Sequence, residues 1–144
     1  MKLTSTIISI VALFSFAIAD NLPDNTGKVV KVTAYHNTKY DNSKSSISTV
    51  KCYNDQSAKY PTLGKLPTYP NIGGYLNADC GSCWAVAYDT VTTIYVLIVD
   101  GSDKGLQLSQ KTMNALGKKS GIHGGPYSSF DVKVTVVDKS KCGL

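Results

Sequence analysis

The stretch "NADCGSCWAVAYD", from Asn77 to Asp89, places two cysteines two residues apart and follows them at once with Trp84, the single tryptophan of the chain. Such a C-x-x-C pair is typical of a redox centre, of half a zinc site, or of the meeting point of two structural disulfides. A redox pair normally lies at the start of a helix, whose terminus lowers the thiol pKa. Here "CWAVAYD" alternates like a β-strand, which argues against redox chemistry.

The other two cysteines, Cys52 and Cys142, stand alone and far from the pair. A structural zinc site needs four ligands in closely spaced pairs, and neither residue has a cysteine or histidine neighbour at that spacing. The remaining interpretation joins Cys80 and Cys83 each to a distant cysteine. Four cysteines allow three pairings, and the sequence alone does not choose among them.

Residues 1–19 have the features of a secretory signal peptide, with Lys2 at the start, an apolar run over 7–18 and small residues before Asp20. The run is shorter than the roughly 20 residues that a membrane span needs. We therefore expect cleavage after Ala19, no membrane span, a polar leader over 20–28 and an extracellular or cell-wall location. All four cysteines follow the signal peptide, an even number, as a closed disulfide set requires.

Charge and composition limit the classes of partner that we expect this protein to bind. The chain carries 15 basic and 10 acidic residues, a net charge of +5, and every base is lysine and every acid aspartate. Dispersed lysines without arginine argue against a dedicated nucleic-acid reader, because arginine supplies planar bidentate contacts to phosphate. We expect no nucleic-acid partner, no metal and no cofactor.

Hydrophobic patterning predicts a mainly β protein. The predicted strands are Val29–His36, Ile47–Cys52, Cys83–Asp89, Thr93–Asp100 and Phe130–Asp138. The fourth is a continuous apolar run, which indicates burial on both faces, and the last alternates, which indicates one wet face. Many short strands favour a barrel or a sandwich.

The segments between these strands carry turn signals and one helix. The stretch Leu63–Gly74 is predicted to be a loop, because its prolines remove donors and Gly73 and Gly74 allow positive φ. A helix of about two turns is predicted from a Ser109 cap to a left-handed stop at Gly117.

The stretches "LPTYPNIGG", "NADCGSCW", "VLIVDG" and the terminal "SKCGL" resemble the cerato-platanin family, small proteins secreted by filamentous fungi. The resemblance runs over 29–144. It implies a six-stranded double-psi β-barrel with one or two short helices, related to barwin and to expansins. It also implies two disulfides, Cys52 to Cys80 and Cys83 to Cys142.

Inverting endoglucanases on a related barrel need a carboxylic acid and a carboxylate on opposite sides of the glycosidic bond. At the first of the corresponding positions this chain has Tyr35 and His36, with Asp41 a few residues on. At the second, "GLQLSQ" puts Gln107 where the acid would be. Because an amide cannot donate the proton that breaks the bond, we expect no catalysis.

The resemblance places Asp100 in a cleft that contacts sugar oligomers, although an aspartate before Gly101 is also a common turn former. Tyrosines in or beside predicted loops can stack on sugar faces; they are Tyr35, Tyr40, Tyr53, Tyr60, Tyr69 and Tyr75. Trp84 is predicted to be core, His36 and His123 to be surface residues without partners, and Gly121–Pro126 to be a turn. The predicted carbohydrate-binding residues are Tyr35, Asp41, Asn71, Gly74, Asn77, Asp100 and Gln107.

Together with the resemblance, these residues predict a secreted, non-catalytic protein that binds chitin or N-acetylglucosamine oligomers or loosens cell-wall polysaccharide. The resemblance further implies an elicitor or effector of plant defence responses, with a plant receptor as a partner. The alternative is a weak glycoside hydrolase acting on cell-wall glucan through Asp41 and Asp100. We expect a monomer with some self-assembly at surfaces.

Overall fold

The structure is a computed structural model that describes residues 27–76, 80–88, 92–119 and 129–144. The predicted signal peptide, most of the polar leader, Asn77, His123 and the predicted turn Gly121–Pro126 lie outside these ranges. Six strands form the framework: β1 Val30–His36, β2 Ile72–Tyr75, β3 Cys83–Ala87, β4 Thr93–Gly101, β5 Leu106–Leu108 and β6 Ser129–Val137. One α-helix, α1, covers Gln110–Lys119, and the 3₁₀ turns are Thr38–Tyr40, Ile47–Thr49, Leu63–Lys65 and Lys139–Cys142.

The strands close into a barrel in the order β1-β5-β2-β4-β3-β6. Two neighbouring pairs, β1 with β5 and β2 with β4, are parallel, and the other four pairs are antiparallel. Each of the six described strands therefore has a neighbour on both sides, which protects the sheet edges. The predicted fold class, a six-stranded double-psi β-barrel with one short helix and two disulfides, is confirmed.

The interior of the barrel holds a continuous apolar cluster, which we call the lumen core. Alternation along the strands supplies it, because every second side chain points inward. Its members are Ala34, Trp84, Val86, Val96, Ile98, Leu106, Leu108, Met113, Leu116, Val132 and Val134. Trp84 is 5% exposed, and its indole Nε1–H donates to Ser82 Oγ at 2.9 Å. Its prediction as a core residue is confirmed, as is the single wet face of β6.

A second apolar cluster covers the outer face of β4, and we call its loop part, Asn37–Asn71, the outer layer. The loop residues pack on Leu97 and Val99, whose neighbours along β4 point into the lumen. Two backbone hydrogen bonds fix the contact, from Cys52 N to Val99 O at 3.0 Å and from Leu97 N to Asn71 O at 3.1 Å. The prediction that β4 is buried on both faces is therefore confirmed.

All four cysteines are paired. The bridge Cys52–Cys80 joins the outer layer to the segment before β3 and spans 28 residues. The bridge Cys83–Cys142 joins β3 to the last 3₁₀ turn and spans 59 residues. The pairing is the one that the family resemblance implies, so the C-x-x-C stretch is a junction between two structural disulfides.

The predicted strand Ile47–Cys52 is wrong. Residues Ile47–Thr49 form a 3₁₀ turn that begins at Ser46, whose hydroxyl accepts from Ser48 N. Ile47 and Val50 are both buried, and their spacing of three positions is that of a 3₁₀ turn rather than of a strand. The serine cap decides the local conformation against the β-branched composition.

The predicted loop Leu63–Gly74 is wrong at both ends, since Leu63–Lys65 is a 3₁₀ turn and β2 begins at Ile72. Gly73 and Gly74 lie in that strand, and neither has a positive φ. They are glycines because of close approach: a Cβ on Gly73 would lie 2.6 Å from Gln107 O, and a Cβ on Gly74 would lie 2.8 Å from Gly101 O.

The predicted helix stop at Gly117 is also wrong, because α1 continues to Lys119 and Gly117 is buried within it. The sequence analysis missed β5, which has three residues and is too short to show alternation. No helix within the described ranges is long and apolar enough to cross a membrane.

Candidate functional site

Four of the predicted sugar-binding residues lie in one row across the barrel wall. Tyr35 on β1 pairs with Gln107 on β5, Gln107 pairs with Gly74 on β2, and Gly74 pairs with Asp100 on β4. We call Tyr35, Gln107, Gly74 and Asp100 the cross-strand row. Gly74 has no side chain, and the space beside its Cα is occupied by Tyr40, whose Oη would lie 2.5 Å from a Cβ on Gly74.

A register shift brings Asp100 into this row. Gly73 pairs with Ile98, whereas the next residue, Gly74, pairs with Asp100, so Val99 is the extra residue of a bulge. Bulges turn a side chain away from the alternation that the strand would otherwise impose. Ile98 points into the lumen, and Asp100 reaches Tyr40 and Lys39 in the outer layer.

The Asp100 carboxylate is 11% exposed and is surrounded by donors. Oδ1 accepts from Lys51 N and from Gly101 N, each at 3.0 Å. Oδ2 accepts from Lys39 Nζ at 2.5 Å and from Tyr40 Oη at 3.4 Å. Asp100 therefore ties the outer layer to β4. The Lys39 side chain, 36% exposed, is the charged group of this cluster that faces solvent.

The Gln107 amide is held at both ends. Its Oε1 accepts from Asn37 Nδ2 at 2.5 Å, and its Nε2 donates to Asp103 Oδ1 at 3.0 Å. The neighbouring Tyr35 ring is covered on one side by Lys104, whose Nζ lies 4.6 Å from the ring centroid. The row thus presents an oriented amide beside a half-buried aromatic ring.

Asp41 lies apart from the row and caps α1. Its Oδ1 accepts from the backbone N–H of Gln110 at 2.7 Å, and its Oδ2 lies 2.7 Å from His36 Nε2. A carboxylate at a helix N-terminus is stabilised by the helix dipole. The prediction that His36 has no partner is wrong, since the sequence separation of five residues conceals a contact made by the turn Thr38–Tyr40.

Asn71 also faces α1. Its Oδ1 accepts from Thr112 Oγ1 at 2.9 Å, which fixes the start of β2 against the helix. The structure therefore brings Tyr35, Gly74, Asp100 and Gln107 together and leaves Asp41 and Asn71 beside the N-terminal turn of α1. Asn77 lies outside the described residues.

Three of the six tyrosines proposed for stacking are core residues, so that interpretation is wrong for them. Tyr40, Tyr53 and Tyr60 are 0%, 7% and 9% exposed. Burial, and then the Asp100 charge, raise the pKa of Tyr40; burial, and then Tyr60, raise that of Tyr53. Tyr35, Tyr69 and Tyr75 remain half-buried.

Tyr69 connects the Asp41 cluster to the outer layer, because its hydroxyl donates to Asp41 O at 3.1 Å. Burial raises the pKa of Tyr69, and the Asp41 carboxylate adds to this effect.

The sequence analysis missed Lys39 and Asn37. A signal for Asn37 was present, because an asparagine directly after a strand is a preferred cap, and its Oδ1 accepts from Lys39 N. Lys39 had no such signal, since its partner Asp100 is 61 residues away. Within the described ranges, no group of three or more His, Cys, Asp or Glu side chains is arranged to hold a metal ion.

Comparison with known proteins identifies relatives over most of the chain. The cerato-platanin family model matches residues 32–144. The protein Allergen Asp f 15 from Aspergillus fumigatus is 32% identical over 127 residues, which cover 81% of this chain and 82% of that relative.

Solved structures agree with the sequence match. Cerato-platanin 2 from M. perniciosa superposes with a TM-score of 0.68 at 29% identity, covering 80% of this chain and 100% of that one. The fungal elicitor cerato-platanin superposes with a TM-score of 0.62 at 27% identity, covering 77% and 96%. The barrel, the two bridges and these matches lead to one conclusion: the chain belongs to the cerato-platanin family.

Proposed function

We propose that this protein is a secreted, non-catalytic fungal protein that binds chitin-like N-acetylglucosamine oligomers or loosens cell-wall polysaccharide. The observation that carries the proposal is the cross-strand row, in which the oriented amide of Gln107 and the half-buried ring of Tyr35 lie side by side. Planar rings and fixed amides are the groups with which proteins hold sugars.

Lys39 is the residue of this site that donates to a ligand. Its ammonium group has three protons, and the bond to Asp100 uses one of them. The N-acetyl groups of a chitin oligomer present carbonyl oxygens that accept such bonds. Asp100 therefore acts as a positioning residue, which holds the ammonium group of the partly exposed Lys39 in place, rather than as the group that meets the sugar.

The absence of catalysis rests on what the carboxylates already do. Asp41 caps α1 and contacts His36, and Asp100 receives four donors. A general acid needs an oxygen that carries a proton toward the leaving group. Gln107, at the position where the resemblance puts that acid, carries an amide.

Calorimetric titration with a chitin hexamer tests the binding. Lys39→Gln should lower the affinity about tenfold, because a charged donor is lost. Lys44→Gln is the matched control, since Lys44 is an exposed lysine of the same loop that forms no ion pair among the described residues, and its affinity should stay within about twofold of wild type. Equal affinity for both variants, with unchanged melting curves, would refute the assignment of Lys39.

A product assay separates binding from the alternative of a weak glycoside hydrolase. The proposal predicts no release of reducing sugar from soluble glucan or from the chitin hexamer. Steady release that disappears in Asp100→Asn and in Asp41→Asn would establish the hydrolase instead. Release that persists in both variants would point to a contaminant and would leave the binding result to decide.

Secretion and a role in plant defence are supported by the features of residues 1–19, by the two disulfides and by the solved relative described as a fungal elicitor. Mass spectrometry of exported material should give a mature N-terminus at Asp20. Infiltration of the pure protein into leaves should trigger a defence response. An intracellular protein that keeps Met1, or leaves that do not respond, would refute the corresponding part of the proposal.

The proposed monomeric state is supported by the scatter of exposed large apolar residues over the described surface: Val29, Leu76, Tyr88, Tyr95 and Leu144. Single exposed apolar residues are normal for soluble monomers. Analytical ultracentrifugation at micromolar concentration should give one species of about 13 kDa, the mass of roughly 125 residues. Self-assembly is expected at air–water surfaces, and a stable dimer in solution would contradict the proposal.

A further inference from the structure

A groove of about 420 Å³ opens on another part of the surface. Its floor is the start of β4, from Thr93 to Tyr95, one wall is the loop 67–71, and the other wall carries Lys141 from the last 3₁₀ turn. The two walls meet at the C-terminus, where a Cβ on Gly143 would lie 3.2 Å from Pro67 Cβ. The groove shares Asn71 with the residues already described and contains none of the cross-strand row.

The groove and the cross-strand row are separate surfaces. Tyr95 and Asp100 lie five residues apart on β4, which is about 17 Å along an extended strand. Between them, Leu97 and Val99 are completely buried beneath the outer layer. A single sugar unit therefore cannot touch both places, and binding at one is measurable without the other.

The Tyr95 ring stands above its surroundings. Tyr95 is 37% exposed near the start of β4, and the five residues that follow it are buried. Its partner on β3 is Ala85, and the partner of Ala85 on β6 is Thr135. Small side chains on this face leave the ring partly exposed, with Lys141 over one part of it. Aromatic rings of this kind combine an apolar face with a polar tip.

Lys141 places a positive charge beside this ring. Its Nζ lies 5.9 Å from the Tyr95 ring centroid, and it forms no ion pair within the described ranges. The nearby Asp138 carboxylate caps the same turn: hydrogen bonds from Ser140 lower the pKa of Asp138, and Lys141 contributes less. The next residue, Cys142, is bonded to β3, so the turn that carries the lysine is fixed to the barrel.

We propose that this groove is a second glycan-binding site, and that it takes an acidic polysaccharide built from uronic acid units. A uronate ring stacks on Tyr95, its carboxylate pairs with Lys141, and its hydroxyls meet Thr68, Thr93 and Asn71 on the walls. A neutral sugar satisfies the ring but gives Lys141 no direct ion pair, which is why the acidic class is favoured. The chain remains net positive without Lys2 of the predicted signal peptide, and this charge adds a general attraction to such polymers.

Amide NMR titration of the ¹⁵N-labelled protein with trigalacturonate tests this site. The expected shifts centre on Thr93–Tyr95 and Lys141, and the affinity should fall as salt is raised. Tyr95→Ala should weaken binding about tenfold, and Lys141→Gln about fivefold. Two controls should stay near wild type: Tyr88→Ala, which removes a tyrosine that is also 37% exposed, and Lys133→Gln, which removes an exposed lysine of β6.

Two further ligands sharpen the test. The methyl-esterified trimer keeps the sugar ring without the charge and should bind at least about fivefold more weakly. Polyglutamate has the charge without the sugar and should not shift the Tyr95 amide.

Equal binding of the esterified trimer, equal binding of polyglutamate, or affinities in Tyr95→Ala and Lys141→Gln that match wild type would overturn the proposal. A failure here leaves the chitin proposal standing, because Lys39 and the cross-strand row contribute nothing to this groove.

Discussion

The lumen core and the outer layer hold β4 from its two sides, but they are built by different means. Strand alternation fills the lumen, where the described side chains are almost entirely apolar. The outer layer is a loop shaped by 3₁₀ turns, one disulfide, buried tyrosines and the carboxylate of Asp100. Regular structure therefore makes the barrel, and specific tethers attach a second layer to it.

The cross-strand row lies where these two regions meet. Asp100 is part of β4, yet its bonds go to Lys39, Tyr40 and Lys51 of the outer layer. The position of Lys39, and with it the proposed contact to sugar, depends on that attachment. Changes that loosen the outer layer should consequently affect binding more than equal losses of stability in the lumen.

Removing the tether Cys52–Cys80 should give the largest effect. The bridge closes a loop of 28 residues that contains much of the outer layer, and chain-entropy estimates give about 3.5 kcal/mol for such a loop. In Cys52→Ala/Cys80→Ala, hydrogen exchange should show amides of the outer layer opening at a lower free energy than Val86 and Ile98. Uniform acceleration of every amide would show that the two regions unfold as one unit.

A cavity in the lumen should act on the whole molecule instead. Ile98 is fully buried, and Ile98→Ala should lower the free energy of unfolding by about 3 kcal/mol in denaturant melts. Ile94→Ala is the matched control on the same strand, where the side chain is half-buried, and should lower it by about 1 kcal/mol. Affinity for the chitin hexamer should be unchanged in both variants. A tenfold loss of affinity in Ile98→Ala would show that the lumen core controls binding as much as the outer layer does.

Asp100→Asn should have a smaller effect on stability and a marked effect on binding. Each oxygen of Asp100 accepts from two donors, so the NH₂ group of asparagine must face two of the four. The free energy of unfolding should fall by about 2 kcal/mol. Asp131→Asn breaks a surface ion pair in which the side chains of Lys31 and Asp131 are 71% and 53% exposed, and it should leave the free energy of unfolding close to that of wild type. Loss of hexamer affinity in the first variant alone would support the positioning role of Asp100.

Alkaline pH should destabilise the outer layer, and this effect should be smallest near neutral pH. The pKa values of Tyr40 and Tyr53 are raised by burial, whereas unfolded tyrosine ionises near 10. Their contribution to stability is therefore present below about pH 10 and lost as the pH rises above it. Tyr40→Phe should flatten this decline and lose at most about 1 kcal/mol at pH 7, since its hydrogen bond is long. If the stability of Tyr40→Phe depended on pH as that of wild type does, the assignment of the alkaline decline to Tyr40 would be contradicted.

How much of this structure the sequence predicts differs between the two regions. Alternation and apolar runs locate β1, β3, β4 and β6, because the period of a strand is local information. The family resemblance supplies the barrel and the disulfide pairing. The outer layer is mispredicted at Ile47–Cys52 and at its tyrosines, since turn caps and packing on a distant strand override local composition.

The sequence predicts which residues form the candidate site better than it predicts what their side chains do there. Asp100 and Gln107 are predicted from the resemblance, and Tyr35 and Gly74 from their places in or beside predicted loops. The register of β1, β5, β2 and β4 aligns all four. The sequence does not reveal that Asp100 is enclosed by donors or that Lys39 faces solvent in its place. Those facts depend on the bulge at Val99, which no local pattern encodes.

One NMR experiment tests the central claim most directly. The ¹⁵N-labelled protein is titrated with a chitin hexamer and kept for several days, while the amide shifts and the anomeric protons of the oligomer are followed in the same tube. The account predicts shifts centred on Gly74, Asp100, Gln107 and Lys39 and an oligomer that stays intact. Shifts confined to other surfaces, or the appearance of shorter oligomers, would contradict it.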